Sequence, residues 1–220
     1  MSDHTRLADD LSALRAHYSV HMPVDIAAAM TRADNALAAS SLVDRALGAG
    51  EFAPDFTLVD ADGKTVQLSR ELRYGPVILS FYRGDWCPYC NLELRAYAAR
   101  AAEIEAAGAR LIAISPQRPD AARTDEAFPF AVVSDEGSKV ARSYGVAFDL
   151  ADELQPLYAR LGHPLPEMNG DGWTLPVPAT FVIAPSGEIV FGFVDTDYRR
   201  RLEPGDAIAA AGAVARAKAA

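Results

Sequence analysis

Apolar residues recur at helical spacing through the first fifty residues of the chain. One stripe, spaced by four, three and four positions, consists of Leu7, Leu11, Leu14 and Tyr18, and a second consists of Ile26, Met30 and Leu37. This period places apolar residues on one face of a helix. We predict a helical N-terminal extension over residues 1–49 that packs on the rest of the chain; a dimerisation arm is the alternative.

After residue 50 the pattern changes to short apolar runs that alternate with helical stretches, so we predict one α/β domain over residues 50–220. The predicted strands are 56–59, 65–68, 76–82, 111–114, 131–134, 180–184 and 189–193. The predicted helices follow an N-cap at Ser69, run from the end of strand 76–82 to about Ala107, cover 137–144 and begin near Pro204. A right-handed crossover makes strands 76–82 and 111–114 parallel.

Residues 146–175 show no clear period and are predicted to be a loop-bearing insertion near the functional site. The segment from Leu150 to Leu161 is compatible with a helix, and residues 162–174 are rich in glycine, proline and acidic residues.

The chain has two cysteines, Cys87 and Cys90, and they lie where the strand 76–82 gives way to a helix. Free backbone N–H groups at a helix N-terminus stabilise a thiolate, which is the nucleophile of thiol chemistry. The two-residue spacing lets the sulfurs form a disulfide. A C-x-x-C motif beside a strand–helix–strand unit is typical of a thioredoxin-like redox site.

Two other interpretations of the cysteines compete with a redox site. A zinc site needs four ligands, and none of the four histidines lies in a spaced pair near the cysteines. Inert structural cysteines fit poorly with the sequence Trp86-Cys87-Pro88-Tyr89-Cys90 at the start of a helix. We predict no metal and no cofactor.

Composition limits the partners. Half of the residues are hydrophobic, 23% are charged, and the net charge is −9, which argues against nucleic acid and anionic membranes as partners. No apolar run is long enough to span a bilayer. The segment Met1–Arg6 lacks a basic start followed by an apolar core, so we expect no signal peptide and a cytoplasmic location, where the cysteines would rest as thiols.

The order of elements and three sequence blocks resemble the peroxiredoxins, the alkyl hydroperoxide reductase and thiol-specific antioxidant family of the thioredoxin fold. The blocks are Ala53–Leu58 with Asp62-Gly63-Lys64, Val133-Ser134-Asp135 with Ala141–Val146, and Ala179–Ile183 with Gly187-Glu188-Ile189. The resemblance covers about residues 50–145 and 176–204. It implies a central mixed sheet flanked by helices, peroxidase activity and an external thiol reductant.

The motif around the cysteines departs from the family. Phe81 and Tyr82 match its Phe-Tyr pair, Arg83 stands where its proline is, and Cys87 where its threonine is. The peroxide-attacking cysteine of the family falls on Cys90 and its glutamate on Glu93. The family's arginine near the last strands falls on Pro178, so the chain lacks that threonine and that arginine.

Other features resemble thioredoxins and glutaredoxins. Their dithiol motif matches Cys87-Pro88-Tyr89-Cys90, and their cis-proline before a strand matches Pro178, for which we predict a cis bond rather than an ordinary trans one. In this register Cys87 is the exposed, low-pKa nucleophile and the more buried Cys90 resolves. In the peroxiredoxin register Cys90 attacks and Cys87 resolves. We favour Cys87.

The flanking side chains have candidate supporting roles. Arg83 could lower a thiolate pKa or orient peroxide oxygens, with a surface arginine as the alternative. We predict that Asp85 caps the helix, that Trp86 covers the sulfurs and that Tyr89 lines the substrate face; a core aromatic is the alternative for Trp86. Glu93 is a candidate supporting residue, with a solvated helix residue as its alternative. We predict that the basic cluster Tyr198–Arg201 is solvated, with pairing to the acidic surface as the alternative.

Three functional hypotheses remain open from the sequence. The first is a peroxidase that reduces hydrogen peroxide or organic hydroperoxides through a Cys87/Cys90 dithiol–disulfide cycle. The second is a thioredoxin-like reductase of protein or small-molecule disulfides, and the third is a non-enzymatic redox sensor. The first two need an external thiol donor, which is a thioredoxin, a glutaredoxin or a small thiol. Relatives in the family are often dimers, so the resemblance allows a homodimer.

Overall fold

The computed structural model describes residues 6–121, 126–170 and 172–219. Its helices are α1 (Leu7–His21), α2 (Val24–Ala38), α3 (Leu42–Arg45), α4 (Leu68–Glu71), α5 (Pro88–Ala99), α6 (Ala101–Ala106), α7 (Lys139–Ser143), α8 (Gln155–Arg160), α9 (Leu165–Asn169) and α10 (Pro204–Ala219). Its strands are β1 (Thr57–Asp60), β2 (Thr65–Gln67), β3 (Val77–Phe81), β4 (Arg110–Ser115), β5 (Ala131–Ser134), β6 (Ala147–Asp149), β7 (Thr174–Pro176), β8 (Ala179–Ile183) and β9 (Ile189–Val194). Short 3₁₀ helices cover Pro119–Ala121 and Asp152–Leu154.

Seven strands form one mixed sheet in the order β2-β1-β5-β4-β3-β8-β9. Strands β3, β4 and β5 are parallel neighbours, and β8 lies antiparallel to β3. Strand β3 is buried along its whole length because helices cover both faces of the sheet, and its residues alternate between two cores: Leu79 lies in one and Ile78 in the other. The predicted mixed α/β sheet flanked by helices is confirmed, and so is the parallel crossover.

Two local predictions about helices are wrong. Ser69 does not cap α4; its backbone N–H instead donates to the Asp55 carboxylate at 2.8 Å, so a residue distant in sequence supplies the acceptor. The helix after the cysteines is not continuous to Ala107. Arg100 leaves the helical region, with φ −112° and ψ 18°, and separates α5 from α6.

The segment 146–175 is a small structured unit rather than a loop. Strands β6 and β7 pair antiparallel, and α8 and α9 fill the connection between them. The helix compatible with Leu150–Leu161 is shorter than that range, since it begins at Gln155 after a 3₁₀ turn. The division of the chain into an extension over residues 1–49 and a domain over residues 50–220 stays a prediction.

The N-terminal helices reach the cysteine region. Leu7 and Leu11 of α1 are buried in the same cluster as Cys87, Cys90 and Tyr89. The first turn of α1 is held by Glu203, whose carboxylate accepts the Ala8 backbone N–H at 2.8 Å. Across the described ranges, no helix has the length and apolar character needed to cross a membrane.

Candidate dithiol active site

The cysteine loop connects the buried end of β3 to the first turn of α5. Cys87 occupies the N-cap position with extended backbone (φ −94°, ψ 109°), and Pro88 takes the first helical position, where a missing N–H has no consequence. Gly84 makes the turn possible. Its φ is +149°, and a Cβ there would lie 2.4 Å from Trp86 Nε1, so a larger residue would displace the side chains of the loop.

Both sulfurs are buried, and neither cysteine has exposed surface. The prediction that Cys87 is the exposed thiol is therefore wrong. Helix α1 packs on α5, and its Leu7 and Leu11 belong to the same buried cluster as Cys87 and Tyr89, while the Arg83 guanidinium lies on Cys87 Sγ. Both cysteines are free thiols.

Arg83 is a buried guanidinium beside Cys87. Its Nη2 donates to Cys87 Sγ at 3.1 Å, and its Nη1 donates to the Tyr158 hydroxyl at 3.2 Å. The guanidinium carbon lies 4.3 Å from the centre of the Tyr198 ring and 5.2 Å from that of Trp86, distances typical of cation–π contacts. The surface alternative for Arg83 is thus wrong, because only 6% of the residue is exposed.

Arg201 and Glu93 form a buried ion pair beside Cys90. Arg201 Nε donates to Glu93 Oε2 at 2.6 Å, and Arg201 Nη2 donates to Cys90 Sγ at 3.3 Å. Ser80 donates to the other Glu93 oxygen at 3.2 Å. The solvated interpretations of Glu93 and of Arg201 are wrong, since their side chains are 2% and 1% exposed. Tyr198 lies at the site as well, against Arg83.

These contacts shift the pKa values of the two cysteines in opposite directions. Burial raises the pKa of Cys87, but the hydrogen bond from Cys90 and the charges of Arg83 and Arg201 outweigh it and hold that pKa well below its usual range. Burial and the bond to the Cys87 thiolate raise the pKa of Cys90 well above it. The guanidinium groups of Arg83 and Arg201 and the carboxylate of Glu93 together carry one positive charge, which a single thiolate neutralises. The arrangement therefore favours a Cys87 thiolate with a protonated Cys90.

The remaining predicted side chains surround the sulfurs from several elements. Trp86 is half-buried, and its ring lies 5.7 Å from Tyr158 and 4.9 Å from His163, which joins the loop to the segment 146–175. Tyr89 is buried against Tyr198, with ring centres 5.5 Å apart. Burial among these rings places Trp86 and Tyr89 in the apolar cover of the site.

Asp85 does not cap α5. Its backbone N–H donates to Gln117 Oε1 and its carboxylate accepts from Gln117 Nε2, both at 2.8 Å. The Asn91 side chain meanwhile donates to the Asp85 carbonyl at 2.7 Å. The loop is thus fixed to the end of β4 and to the first turns of α5. The N-cap of α5 is Cys87 itself, without a side-chain cap bond.

Pro178 lies immediately before β8, as predicted, but its peptide bond is trans, as are all the described bonds. The prediction of a cis bond is wrong. A trans X-Pro bond is intrinsically favoured by about 0.5–1 kcal/mol, and the first position of a strand tolerates proline without a ladder donor. Backbone hydrogen bonds fix the residues on either side of the 177–178 peptide bond: Val177 N–H donates to Val146 O, and Asp195 N–H donates to Pro178 O.

Sequence reasoning missed three residues of the site, namely Arg201, Tyr158 and Tyr198 in their roles beside the sulfurs. Arg201 arrives from the loop after β9, and it stands in for the cation that the chain lacks at Pro178. The only signal in the sequence was three consecutive arginines at 199–201, and nothing in that run distinguishes the buried one from its neighbours.

Replacing Arg83 with methionine is expected to raise the pKa of Cys87 toward the ordinary range of a thiol, because the nearest compensating charge is removed. The ultraviolet absorbance of the thiolate as a function of pH measures this without a reagent, and alkylation by iodoacetamide of the opened site is compared with it. The parent should react at a rate that stays constant down to acidic pH, whereas Arg83→Met should lose reactivity as pH falls through neutrality. The control is Arg95→Met, which alters an exposed arginine on α5; equal profiles for Arg83→Met and the parent would contradict the role of Arg83.

The fold and the site together define a class, the thiol-redox proteins of the thioredoxin-like fold. The model of the AhpC/TSA family matches residues 49–191, well over half of the chain. The chain belongs to this family.

Several known proteins are similar to the chain. It is 38% identical over 123 residues to a peroxiredoxin Q, chloroplastic, of Triticum aestivum, covering 53% of this chain and 55% of that protein. It is 40% identical over 110 residues to the peroxiredoxin Q, chloroplastic, of Oryza sativa subsp. japonica, covering 48% and 49%. The chain thus spans about half the length of the curated relatives it matches.

Solved structures share the fold. The peroxidoxin BcpB of Mycobacterium tuberculosis superposes with a TM-score of 0.57 at 23% identity, covering 76% of this chain and 98% of that one. A Xanthomonas campestris peroxiredoxin Q gives a TM-score of 0.55 at 20% identity, covering 78% and 99%. At these identities the likeness concerns the fold.

Proposed function

We propose that the protein is a thiol peroxidase that reduces hydrogen peroxide or organic hydroperoxides through a Cys87/Cys90 dithiol–disulfide cycle. The observation that carries the proposal is the environment of Cys87, a buried sulfur with a guanidinium at 3.1 Å and a pKa held well below the usual range. Membership in the AhpC/TSA family and the similarity to peroxiredoxin Q support it.

Two buried N–H donors of the cysteine loop lack an acceptor. Among the described residues, Arg83 Nε and Trp86 Nε1 are buried without an acceptor. Buried donors without partners are rare in native structures. A peroxide carries two adjacent oxygens that accept hydrogen bonds, so it is a suitable acceptor for donors of this kind. Donors placed where charge develops on the leaving oxygen lower the barrier.

The reaction balances with the groups at hand. The Cys87 thiolate attacks one peroxide oxygen, the O–O bond breaks, and the other oxygen leaves as an alcohol or as water after it takes a proton. Cys87 is oxidised by two electrons to a sulfenic acid and the peroxide is reduced by two. Cys90, which is hydrogen-bonded to Cys87 and whose pKa is raised, supplies the proton for the leaving oxygen.

Resolution follows from the same pair. Once Cys90 has given up its proton, its thiolate is stabilised by Arg201 at 3.3 Å. It attacks the sulfur of the sulfenic acid, the S–O bond breaks, and the hydroxide that leaves takes a proton from solvent to become water. The product is the Cys87–Cys90 disulfide, and an external thiol donor returns it to the dithiol. A cytoplasmic location and a homodimer stay predictions.

Stopped-flow oxidation of the reduced protein tests the proposal, with Trp86 fluorescence and thiol titration as readouts. One equivalent of hydrogen peroxide should remove two thiols. The second-order rate constant should exceed that of a free peptide with the sequence Trp-Cys-Pro-Tyr-Cys by at least about 100-fold, the factor that one preorganised donor contributes in other enzymes. Oxidation at the rate of the peptide, for hydrogen peroxide and for cumene hydroperoxide alike, would refute it.

A disulfide reductase is the second candidate. The observation that favours it is the order of the pair along the helix, because the low-pKa sulfur is the N-cap residue and the second sulfur lies one turn into α5, as disulfide exchange requires. Burial of both sulfurs weighs against a protein disulfide as substrate. Reduction of insulin in the presence of a thiol donor measures this activity.

A further inference from the structure

A cavity of about 360 Å³ lies between the N-terminal helices and the segment 146–175. Helix α2, Ser40 and α3 form one wall, and β6 with the turn that follows it forms the other. The apolar residues of the two walls include Met30, Ala33, Leu37, Phe148, Leu150 and Leu154. The volume lies in the range of sites for small ligands, about 300–1,000 Å³.

Charged groups of both signs line this cavity. The carboxylates are those of Asp34 and Asp149, and the guanidinium groups are those of Arg45 and Arg83. Asp149 and Arg45 are exposed, with Asp149 76% exposed in its side chain, whereas Arg83 is buried. The Asp34 carboxylate is partly buried and already paired with Arg199 at 2.9 Å. The cavity therefore offers the Arg83 guanidinium at its inner end, an apolar middle, and the charges of Asp149 and Arg45 at its rim. This distribution complements a molecule that carries both carboxylate and ammonium groups.

The inner end of the cavity borders the reactive sulfur. Arg83, Tyr158 and Tyr198 line it, and the same Arg83 guanidinium bonds Tyr158 through Nη1 and Cys87 Sγ through Nη2. The Arg83 side chain therefore links the lining of the cavity to Cys87. A ligand that attracts the Arg83 guanidinium would uncover the sulfur on the side that faces the ligand.

The burial of Cys87 and Cys90 limits the size of the reductant that can reach their disulfide. Cys87 and Cys90 have no exposed surface, and α1 lies over α5 in the described structure. A protein dithiol needs its own cysteine at the Cys87–Cys90 bond, so α1 and α2 would have to move away. A small thiol needs only the cavity and a rotation of Arg83.

From these observations we propose that the cavity binds the reductant of the cycle, a low-molecular-weight thiol with both carboxylate and ammonium groups, such as a small peptide thiol. The inference rests on the proposed function and names its electron donor. The thiolate of the first donor attacks Cys87 Sγ, the Cys87–Cys90 bond breaks, and Cys90 leaves as a thiolate that takes up a proton. A second donor molecule attacks the mixed disulfide, so the donor pair is oxidised to its disulfide and Cys87 is released reduced.

The test starts from the Cys87–Cys90 disulfide made with diamide, so that it does not depend on peroxide. Its reduction is followed at increasing concentrations of glutathione, cysteamine, 3-mercaptopropionate and 2-mercaptoethanol. The rate should saturate with glutathione, which carries both charges, and stay linear with the other three. Rates that are linear for all four thiols and ordered only by thiol pKa would overturn the proposal, as would faster reduction by a thioredoxin than by saturating glutathione.

Two pairs of variants locate the binding site. Ala33→Trp fills the cavity from α2 and should remove saturation, whereas Ala28→Trp, at an exposed position of the same helix outside the lining, should retain it. Asp149→Asn removes an exposed rim carboxylate and should raise the half-saturating concentration about three- to five-fold, with Asp152→Asn unchanged. Retained saturation in Ala33→Trp, or no shift in Asp149→Asn, would refute the site. Peroxide oxidation of the same samples reports separately on the proposed function.

Discussion

The Cys87→Ser variant is expected to lose rapid oxidation by hydrogen peroxide completely. Cys87 is the sulfur that Arg83 contacts at 3.1 Å and whose pKa is held well below its usual range, so it is the thiolate present at neutral pH. The Cys90 that remains has a pKa raised by burial, and a protonated thiol is a poor nucleophile. Stopped-flow fluorescence over an about 20-fold range of peroxide concentrations would measure the residual rate of oxidation by peroxide.

The Cys90→Ser variant is the matched control for this result. It should still react rapidly once, because the Cys87 thiolate is intact, and then stop as a sulfenic acid that dimedone traps and mass spectrometry detects. Turnover with an external thiol should become slow or cease. The opposite pattern, with rapid oxidation in Cys87→Ser and none in Cys90→Ser, would assign the attack to Cys90.

The Arg201→Met variant is expected to lose about 3–5 kcal/mol of folding stability, the usual consequence of removing one partner of a buried ion pair. The pair with Glu93 is 2.6 Å long, and both side chains are almost entirely inside the protein. Burial already raises the pKa of Glu93, against the opposing effect of Arg201. Without Arg201 the carboxyl must take up a proton or remain charged and unpaired. Chemical denaturation under reducing conditions measures the change.

The stability loss of Arg201→Met should depend on pH, and a neighbouring arginine provides its control. A carboxyl whose pKa is higher in the folded than in the unfolded state binds more protons when folded, so stability falls as pH rises above the ordinary carboxyl pKa. The loss in Arg201→Met should therefore be smallest in acid. Arg200→Met, whose side chain is 68% exposed, should change stability by less than about 1 kcal/mol. Adding Glu93→Leu to Arg201→Met should recover much of the loss; a loss as small as that of Arg200→Met would contradict the buried pair.

The sequence predicts those parts of the molecule that local patterns determine. Strand β3 reads as a continuous apolar run because both of its faces are covered, and the position of Cys87 follows from the change of period at Pro88. These signals lie within ten residues of the feature they predict, so tertiary contacts are not needed to interpret them.

Burial and charge pairing at the site depend on contacts between distant residues, which a single sequence does not encode locally. Arg201 and Glu93 are 108 positions apart, and Arg83 and Tyr158 are 75 apart. Both arginines resemble surface residues in their local sequence. Cys87 likewise shares its buried cluster with Leu7 and Leu11, which lie in a segment outside the range matched by the family model.

The loop from Tyr198 to Glu203 also determines when the site can form during synthesis. Arg199 binds Asp34 of α2 at 2.9 Å, Arg201 holds Cys90 and Glu93, and Glu203 binds the first turn of α1 across 195 positions. Contacts of such high sequence separation form late in folding. While the ribosome is still extending the chain, α1 and α2 have emerged without the loop that fixes them. The cysteines would then be open to oxidants and to partner thiols until residues 198–203 have been translated, and they become enclosed only when this loop meets α1 and α2.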